Sequence, residues 1–407
     1  MQDILIKNAD IVTPFQTVKS KNVFITKGRI QLVENNFDKL EKAKSGNNIK
    51  VYDYTGKYLL PGFIDIHSHG AAGVDFFSKD LEKWVDYNYK NGVTSFLPTL
   101  LTMPIKDIQK CLNNLAGYIR RHNALEGMVG INMEGPYLNP RFGSQLSSLC
   151  IEPKKDDYTG FIKTGGGFIR VMTIAPELNG SIDLIKELVK RNIIASIGHT
   201  DAALKETINA IKSGASMATH LFNAYGYPQG LFKKYPKEKI CGVREIKASD
   251  LLLEDAGIYA EVIADKNGVH VHPVLLRTLI KCKPLDKIIL ITDSMKSAGL
   301  KGGVYELPDG RSYTLRETDD VLFLNQSRML SGSILKLRNA VKNLIKHTGI
   351  SFNDAIKTVT INPARLLKID KEIGSIEEGK RANLVVMDRD FNICLTIAGG
   401  KVVHEAG

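Results

Sequence analysis

The chain has 407 residues, which is long enough to bury a full hydrophobic core in a single barrel or in two smaller domains. Hydrophobic residues make up 43% of the chain and charged residues 24%, and no run of eighteen apolar residues occurs, so no membrane-spanning segment is predicted. The net charge of 55 − 44 = +11 comes from lysines spread along the whole chain, which favours a solvated surface over a nucleic-acid-binding protein.

The beginning of the chain and its cysteines predict a cytoplasmic protein. Residues 1–10 alternate like a β-strand, and no long apolar stretch follows a basic patch as in a secretory signal. The five cysteines stand singly, without the spacing of a zinc knuckle or a redox pair, so we expect reduced thiols. They are Cys111, Cys150, Cys241, Cys282 and Cys394.

Both ends of the chain are predicted to form strands. Residues 1–58 contain short apolar segments such as 22–26, and only residues 37–45 suggest a helix. Strand-like patterns return near the other end of the chain, after two predicted helices. We therefore predict that residues 1–58 and 370–407 form one small β-sandwich-like domain and that residues 59–369 form the other domain.

The middle of the chain alternates between strands and helices. Eight strand candidates lie at residues 63–67, 93–98, 128–133, 169–174, 193–198, 216–221, 258–264 and 287–292. Helical periods lie between most of them, for example at residues 80–90, 104–121, 179–191 and 201–213. Eight such alternations predict the α/β class with a (β/α)₈ TIM-type barrel, in which the chemistry lies where the strands end.

Six imidazole or carboxylate side chains fall at or just past the ends of these predicted strands. They are His67, His69, Glu134, His199, His220 and Asp293. Random placement would have put several of them on helices or at strand starts, so the joint pattern is stronger than any single motif. Because the strand ends of a barrel meet at one face, we expect these side chains to form one site.

The first strand ends in a His-x-His pair. A spacing of two residues places the imidazoles of His67 and His69 on the same face of the strand, and Gly70 then lets the chain turn away. Imidazoles together with a carboxylate suit zinc, and also iron, manganese or cobalt, so the ligand types do not fix the metal. If the pair stood alone, two strand-end histidines without a metal would be the preferred interpretation.

Asp293 ends a buried apolar strand, where a carboxylate needs a partner. One interpretation is a general acid/base, which takes a proton from the attacking water and returns it to a leaving nitrogen. The alternative is an N-cap for a helix that follows Met295.

Seven short segments carry a resemblance to a known family. They are Pro61–Asp65, Met133–Pro140, Gly198–Thr200, Thr219–Ala224, Gly268–Val271, Thr292–Met295 and Leu330–Ser333. In kind and order they resemble the motifs of the N-acetylglucosamine-6-phosphate deacetylases of the amidohydrolase superfamily, and the similarity covers nearly the whole chain. The resemblance implies a metal-dependent hydrolase that removes the acetyl group from an amino sugar phosphate, most simply N-acetylglucosamine 6-phosphate.

The resemblance also implies the metal ligands. Glu134, His199 and His220 would hold the principal metal. Many members of the family lack the histidine pair of the first strand, whereas His67 and His69 are both present here and could hold a second metal with Glu134. We therefore expect one or two divalent metals per subunit, with zinc as the first choice and iron, manganese or cobalt as alternatives.

Asp293 would be the acid/base by the same resemblance. His270 would contact the phosphate or a hydroxyl of a small-molecule amino sugar, and the backbone at Asn223 and Ala224 would also meet this substrate. A homodimer is the expected assembly.

Two departures from the family motifs concern the substrate. Gln145 stands where the family usually has a histidine that polarises the acetyl carbonyl, and glutamine can donate a hydrogen bond but cannot carry a proton. The family's phosphate-binding arginine is missing until Arg244, so Lys233, Lys234 or Lys237 could replace it as a point charge.

Other functions stay open at this point. The substrate could be N-acetylgalactosamine 6-phosphate, an unphosphorylated N-acyl sugar or an N-acyl amino compound. A cyclic-amide hydrolase is disfavoured, because residues 172–177 end the fourth predicted strand without the lysine that such enzymes use. A catalytically silent scaffold with the same fold has no physical need for all six metal and proton-transfer groups.

Overall fold

Eight parallel strands form a nearly closed barrel in the computed structural model. The structure describes residues 2–14, 16–34, 49–122, 125–226, 246–307, 309–316, 318 and 320–406. The barrel strands are β1 (Phe63–Ser68), β2 (Val93–Leu100), β3 (Ile131–Glu134), β4 (Ile169–Ile174), β5 (Ile194–Ile197), β6 (Met217–Ala218), β7 (Tyr259–Val262) and β8 (Ile288–Leu290). Each strand pairs in parallel with the next one along the chain, which confirms the predicted barrel.

The barrel closes between β8 and β1, just beyond the last paired residues of β8. The backbone N–H of Asp293 donates to the carbonyl oxygen of His67 over 2.9 Å, and the N–H of His69 donates to the carbonyl oxygen of Ser294 over 2.8 Å. These bonds place three of the six predicted site residues side by side at the seam.

Helices cover the outside of the barrel. Those in the described parts of the chain are α1 (Glu82–Lys90), α2 (Ile105–Arg121), α3 (Lys155–Thr164), α4 (Ser181–Lys190), α5 (Leu204–Lys212), α6 (Ala248–Glu254), α7 (Pro273–Cys282), α8 (Leu337–Thr348), α9 (Phe352–Lys357) and α10 (Ile361–Leu366). In α2, buried Ile108, Leu112, Leu115 and Ile119 recur at helical spacing and pack on the barrel core. Among these described helices, none is long and apolar enough to cross a membrane.

The two chain ends form one eight-stranded sheet. Its strands are Asp3–Val12, Thr17–Thr26, Arg29–Glu34, Ile49–Asp53, Tyr58–Pro61, Leu384–Met387, Ile393–Ala398 and Lys401–Glu405. The strand Tyr58–Pro61 joins the halves, since it pairs with Asp3–Val12 on one side and with Leu384–Met387 on the other. The predicted small β domain built from both ends is confirmed. Its limits at residues 58 and 370 stay a prediction, and the helix suggested for residues 37–45 lies outside the described residues.

Short elements surround the open end of the barrel. After β8, two hairpins pair Gly303–Glu306 with Ser312–Leu315 and Val321–Phe323 with Leu330–Ser333. Elsewhere lie the strands Gly70–Ala71, Val74–Asp75 and Gly127–Met128 and the 3₁₀ turns Ser147–Leu149 and Leu285–Lys287. The hairpins have an apolar cluster of their own, which includes Met295, Tyr313 and Leu322. They therefore form a packed wall beside the ends of the barrel strands.

Candidate active site

The structure brings together all six side chains predicted from the strand ends. They are His67, His69, Glu134, His199, His220 and Asp293, and all are buried. All except His67 also line a cavity of 770 Å³ at the carboxyl ends of the barrel strands. A cavity of this size is typical of a small-molecule site.

Glu134, the last residue of β3, is the centre of this cluster. Its Oε1 lies 2.8 Å from Nε2 of His199 and 2.8 Å from Nε2 of His220. On the other side, its Oε2 lies 3.4 Å from Nε2 of His69, and its Oε1 lies 3.6 Å from Nε2 of His67. One carboxylate is therefore shared by two pairs of imidazoles.

Each pair of imidazoles can hold a divalent metal ion together with Glu134. In both groups of three residues, the ligand atoms lie within 4.8 Å of one another. Nε2 of His67 is buried, and it has no hydrogen-bond partner in the described part of the chain. Two imidazoles and a carboxylate form a donor set that zinc, iron, manganese and cobalt accept. The residues therefore fit a divalent cation.

Each imidazole has an acceptor behind it, at Nδ1. Nδ1 of His69 lies 3.0 Å from the carbonyl oxygen of Thr99, Nδ1 of His199 lies 2.9 Å from that of Phe142, and Nδ1 of His220 lies 3.1 Å from that of Asn223. Nδ1 of His67 lies 3.2 Å from Oε2 of Glu261. Because an Nδ1–H that donates leaves a lone pair on Nε2, all four rings can present that lone pair to the centre of the cluster.

The buried groups of the cluster shift one another's pKa. Burial raises the pKa of Glu134, but the neighbouring His199 and His67 outweigh it and hold this pKa well below its ordinary range. Burial lowers the pKa of His69, but hydrogen bonds with Asp293 and Glu134 raise it to about 9. The pKa of Asp293 is lowered, since His69 and His67 outweigh its burial. The carboxylates of Glu134 and Asp293 are therefore stabilised by nearby positive charge, which a bound divalent cation would also supply. The lowered pKa also means that Asp293 is deprotonated, as a general base must be.

Three of the six residues have a left-handed backbone. The φ angle is 48° at His199, 27° at His220 and 50° at Asp293. This conformation costs a residue other than glycine about 1–3 kcal/mol, and it persists where the surrounding structure holds it. Such strain is concentrated at functional sites. All three residues follow a barrel strand, where the turn of the backbone brings their side chains to the cluster.

Gln145 lies beside the shared carboxylate. Its Nε2 donates to Oε2 of Glu134 over 3.1 Å, and its Oε1 accepts from the backbone N–H of Thr102 over 3.2 Å. Two residues earlier, a Cβ at Gly143 would lie 2.3 Å from Nδ1 of His199, and its φ of +95° also favours glycine. The segment that carries Gln145 therefore packs directly against a candidate metal ligand.

His270, Asn223 and Ala224, the other predicted substrate contacts, also line the cavity. The amide of Asn223 donates to the carbonyl oxygen of His270 over 2.8 Å, and Nδ1 of His270 lies 3.3 Å from Oδ2 of Asp265. Nε2 of His270 and Oδ1 of Asn223 are buried without a hydrogen-bond partner among the residues described here. The backbone carbonyl of Ala224 is already bonded, to the N–H of Thr200. Side chains are therefore better placed than this carbonyl to meet a substrate.

The predicted phosphate contacts Lys233 and Lys234 and the alternative Lys237 lie outside the described residues, as does Arg244. Within the described part of the chain, the guanidinium groups that line the cavity belong to Arg141 and Arg311. Arg141 pairs with an oxygen of Asp201 and Arg311 with an oxygen of Asp309, in each case at 2.6 Å. Neither arginine was predicted from the sequence: Arg141 lies just past the motif Met133–Pro140, and Arg311 follows a turn that carries no motif.

Two buried acids beside the cluster were not predicted from the sequence. Asp65 in β1 accepts hydrogen bonds from the hydroxyl of Thr292, over 2.6 Å, and from the N–H of His67, over 3.2 Å. Glu261 in β7 lies against His67 from the other side, as described above. In both cases the available signal was an acid between two apolar residues of a strand. The alternative that Asp293 caps a helix after Met295 is wrong, because residues 294–302 form no helix.

Comparison with known proteins decides the family. Residues 58–403 match the model of the Amidohydrolase family. The chain belongs to the amidohydrolase family. This amidohydrolase is 33% identical to N-acetylglucosamine-6-phosphate deacetylase from Bacillus subtilis (strain 168), over 98% of this chain and 97% of the relative. It is 31% identical to N-acetylgalactosamine-6-phosphate deacetylase from Escherichia coli O157:H7, over 85% of this chain and 87% of the relative.

Solved structures of the same branch have the same fold. A mutant N-acetyl-D-glucosamine-6-phosphate deacetylase from Mycobacterium smegmatis, in complex with N-acetyl-D-glucosamine-6-phosphate, matches with a TM-score of 0.85 and 25% identity, over 99% of this chain and 100% of that chain. The deacetylase from Thermotoga maritima matches with a TM-score of 0.82 and 29% identity, with the same coverage. The resemblance read from the sequence motifs is thus confirmed for this amidohydrolase.

Proposed function

We propose that this amidohydrolase removes the acetyl group from N-acetylglucosamine 6-phosphate, giving glucosamine 6-phosphate and acetate. The proposal rests on the position of Asp293. Its Oδ1 lies 3.0 Å from Nε2 of His69, and its side chain lines the cavity. Relatives and solved structures that bear the deacetylase name support the choice of substrate.

In this proposal, Glu134, His199 and His220 would hold the principal cation, and His67, His69 and the same Glu134 would hold a second one. The metal count and zinc as the first choice are part of the proposal. When bound, a divalent cation polarises the acyl carbonyl and lowers the pKa of water, so that hydroxide is available near neutral pH. The chain supplies the shared carboxylate, the acceptors that orient the imidazoles and a buried cavity.

Asp293 moves the proton. It accepts a proton from the attacking water while the new carbon–oxygen bond forms, and it delivers that proton to the amide nitrogen while the carbon–nitrogen bond breaks. The nitrogen needs this proton, because an unprotonated amine anion is a very poor leaving group. The lowered pKa of Asp293 keeps the carboxylate deprotonated at neutral pH, the form that a general base needs.

Five side chains would select and orient the substrate. Nε2 of Gln145 is the proposed donor to the acetyl carbonyl oxygen, in place of the histidine that the family usually has. Nε2 of His270 is proposed to meet a hydroxyl or phosphate oxygen, and Oδ1 of Asn223 is proposed to accept from a hydroxyl group, together with the backbone near Ala224. Lys233 and Lys234 are the proposed phosphate contacts.

A second candidate substrate is N-acetylgalactosamine 6-phosphate, since one relative at 31% identity bears that name. The test is amine release from both phosphorylated epimers and from their unphosphorylated forms, on protein whose bound metals have been quantified. Faster release from N-acetylglucosamine 6-phosphate is the expected result. Preference for the 4-epimer would favour the second candidate, and equal rates without phosphate would contradict a sugar-phosphate substrate. Homodimeric assembly and a cytoplasmic location stay predictions.

A further inference from the structure

Glu261 is a buried carboxylate that the proposed reaction does not use. It lies in β7 between Ala260 and Val262, and its side chain is fully buried. Removing a carboxylate from water costs free energy unless specific partners compensate for it. The presence of Glu261 in an apolar strand therefore calls for an explanation.

The partners of Glu261 are residues of the two candidate metal groups. Its Oε2 lies 3.2 Å from Nδ1 of His67 and accepts from the backbone N–H of His220 over 3.3 Å. Its Oε1 is buried, and it has no hydrogen-bond partner among the described residues. A carboxylate that served only the fold would be expected to have both oxygens satisfied.

The contact with Glu261 decides which nitrogen of His67 carries the proton. If Nδ1–H donates to the carboxylate, Nε2 keeps its lone pair, and this atom lies 3.6 Å from Oε1 of Glu134 and 3.6 Å from Oδ1 of Asp293. A carboxylate behind an imidazole ligand fixes its orientation and raises its basicity. The neighbouring His69 has only the carbonyl oxygen of Thr99 in this position.

We propose that Glu261 is a positioning residue for a second cation held by His67, His69 and Glu134. This inference rests on the metal chemistry proposed above, and it adds that the second cation depends on a buried carboxylate that touches neither the cation nor the substrate. Glu261 meets His220 only through its backbone N–H. Loss of the Glu261 carboxylate is therefore expected to weaken binding of the second cation more than binding of the principal one.

The test measures bound metal rather than activity. Two variants separate the hydrogen bond from the charge: Glu261→Leu removes the acceptor, and Glu261→Gln keeps the shape and an acceptor oxygen but removes the charge. Glu254→Gln, on the exposed end of α6, is the matched control. Each protein is equilibrated with buffered zinc, and the metal bound per subunit is measured as the free zinc concentration rises.

The expected result is two binding steps in the wild type and the control. In Glu261→Leu the second step should weaken by about 10- to 100-fold, with a smaller loss in Glu261→Gln, while the first step stays nearly unchanged. Urea unfolding of the metal-free proteins checks the fold. Because one carboxylate oxygen has no described partner, Glu261→Gln should not lower the unfolding midpoint, and this variant decides the test if Glu261→Leu does not fold.

Two tight binding steps in both variants would overturn the inference, and so would a wild type that binds a single zinc ion. The proposed function can fail separately. Suppose that the wild type binds two zinc ions, that the variants lose the second ion, and that the wild type releases no amine from any amino sugar. This result would support the role of Glu261 and contradict the proposed substrate.

Discussion

Oδ1 of Asp293 lies 3.0 Å from Nε2 of His69, so the proposed proton carrier directly contacts a candidate metal ligand. The backbone fixes this position: the N–H of Asp293 donates to the carbonyl oxygen of His67, and its own carbonyl oxygen accepts from the N–H of Ser333. The last barrel strand thus holds the carboxylate beside the histidine pair of the first strand. The proposed proton transfer and the proposed second metal site therefore depend on the same seam of the barrel.

Replacing Asp293 by asparagine should separate these two tasks. Asp293→Asn keeps the shape of the side chain but cannot accept a proton, so turnover should fall by roughly 10² or more while the metal content stays the same. Steady-state kinetics and metal analysis of the same preparation check this. Asp286→Asn, an exposed substitution outside the cavity, is the control. Near-normal turnover in Asp293→Asn would rule out its role as the acid/base.

Metal content and activity should fall together when a ligand is removed. His199→Ala loses an imidazole whose Nε2 lies 2.8 Å from the shared Glu134, so both bound metal and amine release are expected to drop strongly. His122→Ala, at an exposed position, should change neither. Chelation of the wild type should abolish activity, and zinc, iron, manganese or cobalt should restore it. A fully metallated His199→Ala protein would contradict its assignment as a ligand.

Much of this site could be predicted from the sequence, because a barrel places the residues that follow its strands at one end. The same residues also show the limit of strand prediction. Strand candidate 216–221 is observed only as β6, Met217–Ala218, since the backbone has turned to a left-handed conformation at His220. Candidate 287–292 likewise ends at Leu290, shortly before the left-handed Asp293. An apolar pattern does not reveal where a strand stops pairing to turn a side chain into a cavity.

The partners of the buried acids could not be predicted. The pattern of β7 shows an acid among apolar residues, but Glu261 meets His67 across a separation of 194 residues. Only the closed barrel brings these two strands face to face. Gln145 is a similar case: its motif position indicated a substrate contact, whereas its hydrogen bond to Glu134 depends on how the following loop folds back over β3.

Gln145→Ala should slow catalysis without removing metal. If Nε2 of Gln145 donates to the acetyl carbonyl oxygen in the transition state, its loss should lower kcat by about 10²-fold. Gln145→His restores a donor and the residue that the family usually has at this position, so it should recover part of the rate. Steady-state kinetics on the three proteins give the comparison. An unchanged kcat in Gln145→Ala would show that this amide has no part in the reaction.

Asp265 should stabilise the fold in a pH-dependent manner. Burial raises its pKa, but hydrogen bonds from His270 and from the N–H groups of Val269 and His270 outweigh burial and lower the pKa to about 2. Because this value is below the ordinary 3.8, the stabilisation is fully present above about pH 4 and is lost as the pH falls towards 2. Asp265→Asn should therefore lower the free energy of unfolding at pH 7 by about 2 kcal/mol.

Urea unfolding of the wild type and Asp265→Asn at several pH values tests this prediction. The difference in the free energy of unfolding should stay constant from pH 7 to about 5 and shrink below about 4. A difference that persists unchanged at pH 3 would mean that the contribution of Asp265 does not depend on its charge.

The most direct test of the proposed function follows both products of a single reaction. Metal-loaded protein is incubated with N-acetylglucosamine 6-phosphate, and acetate and glucosamine 6-phosphate are quantified together, before and after chelation. We predict equimolar release of the two products, which stops when the metal is removed and resumes when a divalent metal is added back. A folded, metal-loaded protein that releases neither product would contradict the proposed deacetylase function.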